Sequence, residues 1–166
     1  MKSPQLSRSA ETARAPLDAP ELEAAVGFWL RLAQQRDLRA FNERFSGTGV
    51  SQLAYAILLV LEANPGCRPA GLAAAVRVRQ PNLVEPLDGL VREGLVSRAP
   101  DPRDGRAQTL ALTGEGLRRL DELKAVHAGL IEGYREALGA EDYATLVRLV
   151  RRFVDQGRGH GDRQGP

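Results

Sequence analysis

The chain has 166 residues, enough for one domain with a sizeable core and too few for two. Hydrophobic residues make up 43% and charged residues 27%, which excludes a wholly disordered chain. The net charge is only +2, but nearly all the cations are arginine, the side chain best suited to bidentate recognition of phosphates and base edges.

Aromatic residues are 5%, so the core is aliphatic; its Leu and Ala favour helix. Cys67 is the only cysteine, which excludes an internal disulfide framework and a cysteine-based zinc site. His127 and His160 are too few for a metal cluster, so neither metal nor cofactor is expected. The N-terminal segment has no apolar stretch of the secretory kind, and the longest apolar run, Leu53 to Leu61, is too short to span a bilayer. The expectation is a cytoplasmic protein with no membrane partner.

Residues 1–20 are rich in Pro, Ser and Ala without periodicity and read as a mobile arm. A first helix is predicted over 21–45, with Leu22, Val26, Trp29, Leu32, Phe41 and Phe45 marking its apolar side. A second, about 51–62, is apolar almost all round and belongs at the buried centre. Pro69 and Pro81 sit in the first turns of a third helix (to about 76) and a fourth (to about 93), and Gly94 stands at the left-handed position that ends the fourth. Short strands are expected at 95–99 and 108–112, joined by a protruding charged loop over 100–107, too long for a tight turn. Thr113 caps a fifth helix to about 138; after Gly139 a sixth runs over about 141–156. Residues 157–166 are a Gly-rich polar tail, expected to be flexible.

Three helices followed by a hairpin, with helices three and four joined by only Arg77 to Gln80, make a winged helix-turn-helix over 50–112. The short joint sets the helices at a steep angle, so that the fourth can enter a major groove while the hairpin, as wing, lies beside it. The flanking helices, 21–45 and 113–156, carry more apolar stripe than so small a domain can cover, which predicts a homodimer. The predicted fold is therefore mostly α, a winged helix-turn-helix with long flanking dimerisation helices.

At this point the motifs Gln80-Pro81-Asn82-Leu83-Val84, Leu87-Asp88-Gly89-Leu90, Glu93-Gly94-Leu95-Val96, Asp101-Pro102-Arg103-Asp104-Gly105-Arg106 and Leu112-Thr113 stand in order. Together they resemble the MarR family of bacterial winged-helix regulators over roughly residues 21–156, and the Gln-Pro-Asn start is similar to its SlyA branch. The resemblance implies a dimeric, sequence-specific DNA-binding repressor on a pseudo-palindromic operator, released by a small effector. The alternative is a winged-helix protein-interaction module without specific DNA binding. An enzyme is not expected, because no catalytic constellation is present.

The resemblance places Arg106 at the wing tip, where it can enter an AT-rich minor groove, with Arg103 beside it. Asp104 is expected to hold Arg103 or Arg106 by an ion pair. At the start of the fourth helix Gln80, Pro81, Asn82 and Glu85 face the major groove, where Gln and Asn can pair with adenine and a carboxylate with cytosine. Arg77 and Arg79 are expected phosphate clamps. Glu85, where members often carry Arg, and the in-helix Pro86, expected to bend the helix, depart from the family pattern. The family's habit of binding aromatic carboxylates points to Trp29, Leu32 and Arg36 on one helical face, with Ser51 and Tyr55 facing the same space; plain dimer core is the alternative for Trp29. An aromatic carboxylate or its thioester is the expected effector.

Overall fold

The computed structural model describes residues 19–156. All but the last two residues of the predicted arm, and the whole predicted tail, lie outside them. Contacts divide the chain into two units, one running to Arg36 and the other starting at Asp37.

In the first unit the helix predicted over 21–45 is interrupted. A four-residue helix α1 (Pro20–Glu23) precedes α2 (Val26–Phe45). The indole N–H of Trp29 donates to the Glu23 carbonyl at 2.7 Å, taking the acceptor that an unbroken helix would give to Gly27. Phe28 meets Trp29 edge-on at 5.4 Å, and the Arg31 guanidinium lies over the Phe28 ring.

The second unit is built round α3 (Gln52–Ala63), where Ile57, Leu58 and Leu61 are buried as the all-round apolar pattern predicts. The Ser51 hydroxyl caps it, accepting the Ala54 N–H at 3.2 Å. Phe41 and Phe45, on the last turns of α2, stack at 3.9 Å and pack with Tyr55. Next come α4 (Pro69–Ala75) and α5 (Gln80–Arg92), which buries Leu83, Leu87 and Leu90 at helical spacing. Gly94 follows with φ +73°, the left-handed turn that ends α5.

The hairpin differs from its prediction. Strands β1 (Val96–Asp101) and β2 (Asp104–Leu112) pair antiparallel, and only Pro102 and Arg103 form the turn. The ladder runs from Val96↔Leu112 to Pro100↔Gln108, then jumps to Asp101↔Asp104. Gly105, Arg106 and Ala107 are the surplus residues of β2 that this shift leaves over, and they replace the long loop expected from the charge pattern. A further bridge, Cys67↔Leu110, lays the segment before α4 against β2; its single polar pair of backbone bonds has no periodic signature in the sequence.

Helix α6 (Gly114–Leu138) starts at the Thr113 cap, whose hydroxyl accepts the Gly116 N–H at 3.0 Å and donates to the Gly94 carbonyl at 2.6 Å. Helix α7 (Ala140–Gln156) buries none of its residues. Leu146, Val147, Leu149, Phe153 and Val154 are all exposed on it. Among the described residues no helix is long and apolar enough to cross a membrane.

Candidate nucleic-acid interface

The sharp joint between α4 and α5 is made by an arginine in a glycine's conformation. Arg77 has φ +57°, and the Val78 N–H reaches back to the Ala73 carbonyl at 3.0 Å, the bond pattern that closes a helix through a left-handed residue. A side chain at that φ costs on the order of 1 kcal/mol. No glycine marks the position, so the sequence places the joint but not its left-handed residue. The Arg77 guanidinium is also not free: it pairs with Asp155 of α7 at 3.1 Å. The predicted phosphate clamp is thus held by a carboxylate 78 residues away in the sequence.

Leu83, Leu87 and Leu90 fix which face of α5 is turned inward, and so leave Gln80, Pro81, Asn82 and Glu85 exposed, as the sequence reading placed them. Val84 is exposed beside them. An outward methyl pair here suits contact with a thymine methyl. The helix runs through Pro86 without a break. Proline lacks the N–H, so the Asn82 carbonyl loses its helical donor on this side of the helix. Asp88, two residues on, pairs with Arg98 of β1 and ties α5 to the wing.

At the wing, Arg103 and Arg106 are exposed. Among the described residues no carboxylate pairs with the guanidinium of Arg79, Arg103 or Arg106, so these forks are unspent. The expected ion pair from Asp104 to Arg103 or Arg106 is not formed. Asp104 instead accepts the backbone N–H of Arg106 at 3.2 Å and lies 4.0 Å from Arg68. The reason is the tight turn, which aims the two wing arginines outward and brings Arg68 underneath. Asp101, part of the wing motif but given no role in the sequence reading, is the buried charge of the wing. Its carboxyl is held below the usual carboxylate range, first by the Arg103 N–H and then by the Arg68 guanidinium.

The five residues predicted to hold an effector are divided between the units. Trp29, Leu32 and Arg36 belong to the first, where the Trp29 ring is exposed. Ser51 and Tyr55 belong to the second; the Ser51 hydroxyl is engaged as a helix cap, and Tyr55 is buried against Phe41, Phe45 and His127. Burial pushes the Tyr55 phenol up and the His127 imidazole down. Nearby, Asp37 accepts from Gln52 and from Tyr134, both at 2.9 Å. Burial also raises the Cys67 thiol, which makes it a poor nucleophile. Among the described residues no three His, Cys, Asp or Glu side chains are grouped to hold a metal ion.

A reading helix set by a short joint, with a wing that carries exposed arginines, defines a winged-helix protein of the DNA-reading class. Residues 48–107 match the family model described as the MarR family. The chain is 29% identical over 132 residues to a Thauera aromatica protein named for regulation of the hcr operon, covering 79% of this chain and 80% of that one. It is also similar to the transcriptional repressor CouR bound to a 23-mer DNA duplex (TM-score 0.81, 28% identity, 84% of this chain and 99% of that one). CouR bound to p-coumaroyl-CoA gives a TM-score of 0.75 at 27% identity, over 84% and 98% of the two chains. The PcaV transcriptional regulator of Streptomyces coelicolor, with its natural ligand, gives 0.74 at 30% identity, covering 85% of this chain and 97% of that one. The chain belongs to the MarR family of winged-helix transcriptional regulators.

Proposed function

We propose that the protein is a homodimeric, cytoplasmic repressor that binds a pseudo-palindromic operator and is released by an aromatic carboxylate or its thioester. The observation that carries the DNA reading is the set of exposed arginines, Arg79, Arg103 and Arg106, which flank the exposed start of α5 and pair with no carboxylate among the described residues. In this reading Gln80 and Asn82 pair with base edges in the major groove, and Pro81, Val84 and Glu85 line the same contact. Arg106 enters the minor groove with Arg103 on the adjoining phosphates, while Arg79 takes a phosphate at the joint and Arg77 does so only by leaving Asp155. Support for the dimer comes from the apolar residues that α7 leaves uncovered. Support for the effector class comes from CouR, whose p-coumaroyl-CoA complex pairs an aromatic acid with a thioester. The exposed Trp29 is the aromatic surface offered to it, alongside Leu32 and Arg36.

A duplex selected by the protein from a randomised pool tests this directly. Its affinity should fall steeply between low and moderate salt, because each neutralised phosphate releases counterions. Arg106→Ala should cost at least ~1 kcal/mol of binding with the melting curve unchanged. Asn82→Ala should relax sequence preference by roughly 1–3 kcal/mol while leaving random-sequence binding intact. The exposed Glu85 favours a second reading, a winged protein-interaction module. Salt-independent binding that ignores Arg106 would decide for it.

A further inference from the structure

We propose that Arg68, which belongs to neither the reading helix nor the wing, is a positioning residue for DNA binding: it braces the wing from below and sets the aim of Arg103 and Arg106. The proposal rests on the DNA reading above for its function, but its structural half stands separately.

Arg68 occupies the N-cap of α4 with extended backbone (φ −81°, ψ 154°) and makes no side-chain cap bond. Helix N-caps call for a side-chain acceptor such as Ser, Thr, Asp or Asn, and arginine has only donors. The side chain therefore does nothing for the helix it introduces. It crosses 33 positions of sequence instead: Nε donates to Asp101 Oδ2 at 2.8 Å, and Nη2 lies 2.6 Å from the same oxygen.

The two oxygens of Asp101 divide the work. Oδ2 takes Arg68, and Oδ1 accepts the Arg103 N–H at 2.8 Å, closing the Pro102-Arg103 turn. Asp101 is only 8% exposed and is the one buried charged residue among those described. A carboxylate so enclosed needs its cation: without it the group must regain water, and the turn closed on its other oxygen must open. The strand ladder cannot hold the tip in its place, because its register breaks between Pro100 and Asp101 and leaves Gly105, Arg106 and Ala107 out of step. The foot of the brace, by contrast, is fixed. The residue before Arg68 bridges to Leu110, with the Leu110 N–H on the Cys67 carbonyl at 2.9 Å and the Gly66 N–H on the Leu110 carbonyl at 2.8 Å. Arg68 thus spans from the anchored root of β2 to its unanchored tip, where it also lies near Asp104.

The test has a DNA-free arm and a DNA arm, on full-length protein. Trypsin cutting after Arg103 and Arg106, read by mass spectrometry, should quicken in Arg68→Ala while the melting curve keeps a single transition. Asp101→Asn, which keeps an acceptor for the Arg103 N–H but loses the charge, should quicken it too, and Arg68→Lys should fall between. On the duplex selected by the wild type, Arg68→Ala should weaken binding about tenfold, within the range of one arginine contact. The triple variant Arg68→Ala/Arg103→Ala/Arg106→Ala should bind no worse than Arg103→Ala/Arg106→Ala, because a brace acts only through what it holds. Wing cutting unchanged in Arg68→Ala would overturn the brace. A further loss in the triple variant would overturn the positioning role and make Arg68 a direct phosphate contact. Failure of the wild type to bind any duplex would sink the DNA reading, while the cutting pattern still decides the brace.

Discussion

Arg77 and Asp155 form an ion pair that bears on the proposed DNA binding. Both groups are about half exposed, so the pair contributes little to folding, but it occupies the fork that the proposed reading turns toward a phosphate. Asp155→Asn should therefore tighten binding to random-sequence DNA and steepen its salt dependence by about one unit of slope, checked by anisotropy across a salt series. Unchanged slope would mean Arg77 stays away from the duplex. His127 gives a second prediction at this scale. Burial against Phe45 and Tyr55 holds its pKa below the ordinary value, with Asp37 opposing only in part. The unfolded chain then takes up the proton first as pH falls. The stability tied to neutral His127 is present above about pH 6.5, the unfolded value, and is lost as pH falls from there through the folded pKa. Melting temperature measured from pH 7.5 to 5 should decline, and His127→Gln should flatten the decline; Asp101, a depressed carboxyl, acts only at more acid pH.

At the scale of elements, the start of α6 packs closely on the segment after α5. Gly116 has no room for a side chain: a Cβ built there would lie 2.0 Å from the Leu95 carbonyl oxygen, a backbone atom that cannot swing aside. Thr113 draws the same two segments together through its bonds to Gly94 and Gly116. Gly116→Ala should cost about 2–4 kcal/mol in a denaturant melt despite alanine's better helix propensity, since the clash must move the helix or the strand. A change within a few tenths of a kcal/mol would show that the two segments slide freely.

For the whole molecule the uncovered face of α7 is the main fact. Phe153 is 55% exposed, and Leu146, Val147, Leu149 and Val154 lie exposed on the same helix. Burying one such side chain is worth roughly 1.5–3 kcal/mol, so several together can hold two chains at micromolar concentration. Sedimentation should show a dimer, and Phe153→Glu should dissociate it while each chain stays helical. Operator half-sites lie about one DNA turn apart, so the dissociated variant should lose binding to the selected duplex far more than Arg106→Ala does. A wild-type monomer would end the dimer reading. The effector belongs to this scale as well: an aromatic acid or thioester at Trp29 should quench the only tryptophan and weaken the operator, and by linkage the operator should weaken the effector equally.

Local chemistry by itself determined most of the elements. Proline in the first turns of α4 and α5, Thr113 and Ser51 at caps, Gly94 and Gly139 at ends, and leucines at helical spacing act within a few residues, so the sequence displays them. The exposed set Gln80, Pro81, Asn82, Glu85, Arg103 and Arg106 was legible for the same reason, since it is what remains once the buried stripe is known. What the tertiary structure decided was every pairing across distance. The Trp29 bond that interrupts the first helix, the Cys67–Leu110 bridge, Arg77 on Asp155, and Asp101 rather than Asp104 as the acid of the wing have no local pattern to read. The charge pattern at 100–107 even suggested a long loop, because a carboxylate that will be buried looks in sequence like one that will be solvated. Only the arrival of Arg68 from another part of the chain makes the buried state of Asp101 stable.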